Sequence, residues 1–365
     1  ETKEQMNILM ISRDSLFTDA GGDTVQLTST AKYLRELGVR VDIKLSKDVV
    51  DFTKYDIVHF FNIIRPADII VHTSKIKIPY VISTIYVDYS ELEKKLRKGF
   101  LKLMFNILKP DSIEYIKCVA RWLKKGDKIR SKYYLLGGHR RSAIKALKGA
   151  ALILPNSDSE YYRLTNTYKI ERPYVVIPNA IDTEIFNPLA VDADNKYENA
   201  VVCIGRIEVR KNQLKLIEAV NSLPYRLVLI GKGAPNQPDY YNECRVCAGS
   251  NVEFIDFLEQ KKIASILKAA KVHVLPSWFE TTGLVSLEAA IMGCNIVVTR
   301  KGDQSEYFDK YAYFCDPADT ESIRNAVKQA FEGPKSNEFR DKILNKYTWK
   351  IAAEKTLEAY KTILK

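Results

Sequence analysis

The sequence predicts an α/β protein of two Rossmann-like halves, each a parallel sheet flanked by helices. Three observations lead there. Short apolar runs alternate with helix-patterned segments along nearly the whole chain, as in successive β-α-β units. The chain has 365 residues, 46% of them hydrophobic, which is enough for two cores. A polar stretch, residues 187–199, separates the strand-like runs into two series and reads as the linker.

Residues 7–11 are the first expected strand. A loop of about ten residues leads to Gly21-Gly22-Asp23 and a helix over 24–37, with Gly38 just past its end, where a helix-terminating glycine belongs. Further strands are expected at 41–43, 57–61, 80–84, 151–154 and 174–177. The second series runs 200–204, 226–230, 252–255, 272–275 and 295–298, with helices over 212–223, 260–270 and 320–331. A last helix, 349–364, follows a complete second half and is expected to pack back across the cleft between the halves. The expected domains are residues 1–180, joined by the C-terminal helix 349–365, and residues 181–348. Ligands of such sheets bind beyond the carboxyl ends of the strands, so two facing halves make a cleft.

Composition narrows the function. No apolar run reaches the ~18 residues of a membrane span, and no basic-then-apolar leader opens the chain. Met6-Asn7-Ile8-Leu9 reads as a natural start. The six cysteines are scattered, which suits a reduced cytosolic protein without disulfides. Cys244 and Cys247 form a single C-x-x-C with no second pair or histidines to complete a zinc site. Asp192-Ala193-Asp194 lies in polar sequence without a preceding strand and reads as surface. The net charge of +11 is concentrated in residues 94–148, which hold 17 Lys/Arg against 3 Asp/Glu. Large apolar residues interleave with these cations at 100–108 and 119–125. That pattern suits an anionic membrane surface. It is also compatible with a solvated basic face over a packed helix, or with nucleic acid, although no nucleic-acid motif accompanies it.

The most informative segment is 276–290, Pro-Ser-Trp-Phe-Glu-Thr-Thr-Gly-Leu-Val-Ser-Leu-Glu-Ala-Ala. A buried strand, a Thr-Thr-Gly turn and a helix ending near Gly293 follow in order. A helix N-terminus at the carboxyl edge of a parallel strand favours phosphate, because free backbone N–H groups and the helix dipole both point there. Glu280 sits in the turn. Glu288 sits in the helix, about 9 Å beyond Thr282 at 1.5 Å per residue. The two carboxylates are placed to accept hydrogen bonds from sugar hydroxyls. After the strand 200–204, Gly205-Arg206 and Lys211-Asn212-Gln213 put two cations at a carboxyl edge that opens onto a helix, a diphosphate clamp by residue type and place.

These residues resemble retaining glycosyltransferases of the GT-B fold, family 4. The resemblance is carried by Glu280 and Glu288 with seven residues between them, by Gly205-Arg206 with Lys211-Asn212-Gln213, and by 177–182, Ile-Pro-Asn-Ala-Ile-Asp. Gly21-Gly22 and Leu229-Ile230-Gly231-Lys232-Gly233 add to it. It implies a nucleotide sugar as donor, with Arg206 and Lys211 on the diphosphate, Glu280 on a hydroxyl of the sugar and Glu288 on the ribose. The N–H groups of Thr282, Gly283 and Leu284 would cradle the sugar–phosphate end. Gly205 would allow close backbone approach, Gly21 and Gly22 would close on the β-phosphate from the other half, and the base would lie near Gly231 and the loop after Ile255. No metal or cofactor is implied. The acceptor implied is a lipid-linked glycan of bacterial surface polysaccharide assembly, used by a peripheral protein on the cytoplasmic face of the membrane. A soluble enzyme acting on a small sugar or sugar phosphate is the alternative.

One departure stands out. Many relatives carry a histidine after the strand matching 80–84, where this chain reads Ile85-Tyr86-Val87-Asp88. Tyr86 and Asp88 occupy that neighbourhood, and His59, Asn62 and Arg65 at the end of another strand are expected to line the cleft with them. A dinucleotide-dependent oxidoreductase or epimerase would instead need G-x-G-x-x-G directly after the first strand, which is absent. A catalytically silent membrane scaffold would not need Arg206, Lys211, Glu280 and Glu288 together.

Overall fold

The computed structural model describes residues 5–88, 91, 111–116, 118, 131–335 and 337–364. The chain divides into two compact units, Glu1–Asn179 with Trp349–Lys365, and Ala180–Thr348. The fold is α/β, with one parallel sheet in each unit.

The first unit holds five strands in the order β2-β1-β3-β4-β5: β1 (Asn7–Ser12), β2 (Arg40–Leu45), β3 (Ile57–Phe61), β4 (Tyr80–Ser83) and β5 (Leu152–Leu154). Every residue of β3 is buried, as an inner parallel strand covered on both faces requires, whereas the edge strand β2 exposes Arg40 and Asp42. Helices α1 (Gly22–Glu36), α2 (Pro66–Thr73), α3 (Lys132–Gly149) and α4 (Asp158–Tyr168) cover this sheet. Helix α3 is bent at Gly138, whose φ of 75° interrupts the helical backbone. The Ser157 hydroxyl caps α4 by accepting the Glu160 N–H.

The expected strand at 174–177 is corrected by the structure. The segment runs extended beside β5 but makes only an isolated bridge, Tyr174 to Ile153. Ile153 N–H donates to Pro173 O, Val175 N–H to Ile153 O and Ile177 N–H to Pro155 O, at 3.0, 3.0 and 2.9 Å. The next rung would need an N–H from residue 155. That residue is proline, so the ladder stops there.

The second unit holds six parallel strands in the order β11-β10-β9-β6-β7-β8. They are β6 (Val201–Ile204), β7 (Leu227–Ile230), β8 (Val252–Ile255), β9 (Val272–Leu275), β10 (Asn295–Thr299) and β11 (Ala312–Cys315). Its helices are α5 (Gln213–Val220), α6 (Pro238–Cys247), α7 (Gln260–Ala269), α8 (Leu284–Met292), α9 (Gln304–Phe308), α10 (Thr320–Glu332) and α11 (Glu338–Lys346). Strands β6 to β8 step one way across the sheet and β9 to β11 the other. The order therefore reverses between β6 and β9, and connections leave their carboxyl ends in opposite directions. That is where ligand crevices form in open α/β sheets.

Residues 187–199 are not a free linker. The units meet in sequence between Asn179 and Ala180, and 187–199 belongs to the second unit. Its polar groups are engaged there. Asp194 N–H donates to Ser265 O at 3.0 Å, Lys262 pairs with Asp194 at 2.7 Å, and Lys268 Nζ reaches Val191 O at 2.5 Å. Tyr197 is buried. The final helix α12 (Trp349–Ile363) belongs with the first unit. It packs on α1, and its buried face is formed by Trp349, Ala352, Ala353, Thr356, Ala359 and Tyr360. Among the described residues no helix is long and apolar enough to cross a membrane.

Candidate active site

The candidate site lies in the second unit, at the carboxyl ends of β6 and β9. Glycine builds its floor. Gly205 and Gly231, directly after β6 and β7, have φ of 146° and 150°. A Cβ on Gly231 would stand 2.1 Å from the Gly205 carbonyl oxygen, so only glycine lets these two turns lie together. Gly231 therefore has a packing role inside the unit, whatever else it contacts.

Beyond Gly205 the chain makes a short 3₁₀ turn, Val209–Lys211, ending at Asn212 in the left-handed region with φ 63°. Asparagine tolerates this conformation, and its buried side chain explains its presence here. Asn212 Nδ2 donates to Pro276 O and Pro317 O at 3.2 and 2.9 Å, tying the loop after β6 to those after β9 and β11. Trp278 N–H also donates to Arg210 O at 2.9 Å. The two predicted loops are thus one structure.

At their junction Lys211 Nζ meets Glu280 Oε1 at 2.5 Å, and Arg210 Nη1 meets the same oxygen at 3.1 Å. Arg210 also grips Glu208 Oε1 through Nε and Nη2, at 3.2 and 2.8 Å. Glu280 is 8% exposed. Burial pushes its carboxyl pKa up, but the charges of Lys211 and Arg210 together outweigh this and hold it below the ordinary carboxylate value. The backbone of Glu280 is fixed as well, accepting from Asp303 N–H at 2.9 Å and donating to Lys301 O at 3.3 Å. Gly302, with φ 89°, passes so close that a Cβ there would overlap the Glu280 carbonyl.

After Glu280 comes Thr282, buried, then Gly283, the N-cap of α8 with φ 72°. A Cβ on Gly283 would also press on the side-chain amide of Gln304 at 2.7 Å. Leu284 opens the helix. By position the first N–H groups of α8 have no intrahelical acceptor, and they lie at the same strand edge as Lys211 and Glu280. Glu288 lies one turn further on and is half-buried. Burial, and to a smaller degree the charge of Asp182, raise its pKa to about 7. Arg206 is exposed, next to Gly205. Its carbonyl is held by Gln213 Nε2 at 2.9 Å.

The local motifs present Lys211 and Glu280 as separate contacts and do not mark Arg210 or Glu208. The charge run Glu208-Val209-Arg210-Lys211 was visible, but its partner, Glu280, lies about 70 residues away.

In the first unit, Gly21 caps α1 in an extended conformation, and Gly21 and Gly22 are both exposed. A Cβ on Gly22 would meet nothing, so packing in this unit does not demand glycine there. The loop before them is pinned by Arg13, which grips Asp23 through Nε and Nη2 at 2.7 and 3.0 Å. Two expected cleft residues are corrected. His59 is 1% exposed and lies between Tyr360 Oη at 2.6 Å and Ser83 Oγ at 2.8 Å. Burial drops its pKa to about 3, so it is a neutral strut joining β3, β4 and α12. Tyr86 is likewise buried, with its hydroxyl on Thr167 Oγ1 at 3.1 Å and its N–H on Glu160 Oε1 at 2.9 Å. His59 is the central residue of the fully buried strand β3 and meets α12, and Tyr86, just past β4, is held by Glu160 and Thr167 of α4. Asn62 (φ 75°), Arg65, paired with Asp68 at 2.9 Å, and half-buried Asp88 remain at these strand ends.

Of the basic stretch 94–148, only Asp111–Ile116, Cys118 and 131–148 are described; Lys94, Lys95, Arg97, Lys98 and the runs 100–108 and 119–125 lie outside the described residues. In the described part, Arg140 pairs with Asp111 at 3.0 Å, Lys145 sits 4.0 Å over the Tyr133 ring, and Leu136 is exposed.

Residues 189–346 match the family described as Glycosyl transferases group 1. The chain is 24% identical over 269 residues to the alpha-maltose-1-phosphate synthase of Mycolicibacterium smegmatis, covering 66% of this chain and 69% of that protein. Alignments to the first three curated relatives span 54–69% of their lengths. Among solved structures, a sucrose-phosphate synthase from Thermosynechococcus elongatus superposes with TM-score 0.73 at 14% identity, covering 98% of this chain and 99% of that one. Anabaena HepE in complex with UDP-glucose gives TM-score 0.72 at 14% identity, covering 98% and 100%. The fold is therefore that of the GT-B structures, and the match to the glycosyl transferases group 1 family spans residues 189–346, which contain every element of the site in the second unit.

Proposed function

We propose that the chain is a retaining glycosyltransferase of family 4. It moves a sugar from a nucleotide diphosphate sugar to a hydroxyl acceptor, with the donor held by the second unit. The observation that carries this reading is the contact of Lys211 with Glu280 beside the N-terminus of α8, at the point where the strand order reverses, with exposed Arg206 following the same strand β6. A diphosphate needs fixed positive charge and N–H donors, and both converge there. Departure of the diphosphate builds negative charge at that position. Lys211, Arg206 and the α8 N–H groups oppose it electrostatically, without a metal ion. Glu280, ionised and immobile, suits a sugar hydroxyl. Glu288, half-buried, suits the ribose. The acceptor attacks from the face the leaving group vacates, and the departing phosphate takes its proton, so no separate strong base is required and the anomeric configuration is kept. The acceptor is assigned to the first unit.

For the acceptor, the basic and apolar stretch 94–148 supports a lipid-linked glycan at an anionic membrane surface. A second reading, transfer to a sugar or sugar phosphate in solution, is favoured by relatives named alpha-maltose-1-phosphate synthase and probable sucrose-phosphate synthase. A thermal-shift screen of nucleotide sugars, followed by NMR of the product's anomeric centre, tests the donor and the stereochemistry, since a ligand of the native state raises its stability. No shift with any nucleotide sugar, or an inverted product, would contradict the reading.

A further inference from the structure

Glu280 carries two cations on one oxygen. Lys211 Nζ and Arg210 Nη1 both donate to Oε1, at 2.5 and 3.1 Å. Arg210 itself is held on several sides. Its Nε and Nη2 donate to Glu208 Oε1, its Nη1 also donates to Phe279 O at 3.2 Å, and its own carbonyl accepts from Trp278 N–H. One guanidinium thus spans the loop after β6 and the loop after β9.

This arrangement matters if Lys211 must also serve a diphosphate. An ammonium that turns toward phosphate weakens its hold on the carboxylate. A buried carboxylate without a cation takes up a proton, and its geometry loosens. We propose that Arg210 is a positioning residue of this site: it keeps Glu280 ionised and anchored by Oε1 while Lys211 shifts to the diphosphate, leaving Oε2 for the sugar hydroxyl. This role depends on the assignments of Lys211 to the diphosphate and Glu280 to the sugar made above. Arginine fits it better than lysine. The planar fork reaches Glu208 and Glu280 at once, whereas a lysine would have to choose between them. The groups that face Glu280 are Lys211 and Arg210 from the β6 loop, the Ser277 hydroxyl from its own loop after β9, Cys203 of β6, and Lys301 and Asp303, which touch its backbone from the β10 loop.

The test uses the full chain and a nucleotide sugar that it turns over. Arg210→Gln should lower kcat by about 10- to 100-fold, the scale of a misplaced reacting group. KM for the donor and the affinity for the free nucleoside diphosphate should stay within about threefold. With a cation removed, the Glu280 carboxyl becomes a weaker acid, so the acid limb of the pH–rate profile should move to higher pH. Arg210→Lys should recover part of the rate and most of the pH limb. Glu208→Gln, which removes one anchor of Arg210 and also an anion, should lower kcat less than Arg210→Gln and leave the acid limb in place or slightly lower, and these two variants carry the test if Arg210→Gln does not fold. A wild-type kcat and pH limb in Arg210→Gln, with turnover lost in Lys211→Ala and Glu280→Ala, would overturn the role of Arg210 alone. A rate loss in Arg210→Gln without movement of the pH limb would also overturn it, leaving Arg210 as a strut. Wild-type turnover in Lys211→Ala and Glu280→Ala would instead remove the reading beneath it.

Discussion

Glu288→Gln should stabilise the unliganded protein at pH 8 while weakening nucleotide binding. The ordinary glutamate value is 4.5, and burial with Asp182 raises Glu288 to about 7. Between these values the folded chain holds a proton that the unfolded chain has released, so stability falls as pH rises from 4.5 through 7. At 1.36 kcal/mol per unit, the shift amounts to about 3 kcal/mol under full burial. Glu288 is only half-buried, and solvent screening reduces this to about 1–2 kcal/mol at pH 8. Glutamine keeps the shape and removes the charge, so the variant should gain that amount at pH 8. At pH 5 most of the wild-type Glu288 is protonated in the folded state, and the gain should shrink to about half. Urea unfolding of both proteins at the two pH values, without nucleotide, measures it. The same variant should bind a nucleoside diphosphate less tightly, because the ionised acceptor for the ribose is gone. A variant no more stable than wild type at pH 8, or an equal gain at both pH values, would refute the reasoning.

Other outcomes follow from the same structure. Gly231→Ala should destabilise the second unit by about 3 kcal/mol or more, because the new Cβ would overlap the Gly205 carbonyl; urea unfolding near the wild-type midpoint would contradict this. Transfer should persist in excess EDTA, since Arg206, Lys211 and the α8 N-terminus carry the charge; activity abolished by EDTA and restored by Mn²⁺ or Mg²⁺ would assign that task to a cation. Cations near an anionic bilayer are worth about 1 kcal/mol each, so the chain should bind anionic vesicles at low salt, release them as salt rises and ignore neutral ones. Replacing Lys94, Lys95, Arg97 and Lys98 by serine should weaken that binding and spare donor hydrolysis. Indifference to anionic vesicles would leave the basic stretch as a solvated face.

Strand positions were legible because inner parallel strands are buried on both faces and write themselves as unbroken apolar runs, such as Ile57–Phe61 and Val272–Leu275. Strand β11 was not, because Ala312–Cys315 is a short edge strand, three of its four residues only partly buried. The run 174–177 had strand composition, but the missing N–H that stops it belongs to Pro155, on the neighbouring segment. Residues 187–199 looked like a linker because they are polar, yet that polarity is spent on α7. The site's residue types were legible from local motifs, since Glu280 and Glu288 share a turn and a helix and Lys211 follows Gly205. What each one touches was not. The convergence of Arg210 and Lys211 on one oxygen of Glu280 is a tertiary fact. So is the burial of His59 and Tyr86, which their polar groups do not advertise.

The central claim, that this site transfers sugar from a nucleotide diphosphate donor, is tested most directly by the release of nucleoside diphosphate from a panel of nucleotide sugars, for wild type and Lys211→Ala side by side. Wild type should turn over at least one donor. Lys211→Ala should be slower by about 10²-fold or more, as expected when an electrostatic stabiliser of the leaving group is lost, while its circular dichroism spectrum stays the same. A wild-type rate in folded Lys211→Ala, or no turnover of any nucleotide sugar by wild type, would contradict the account.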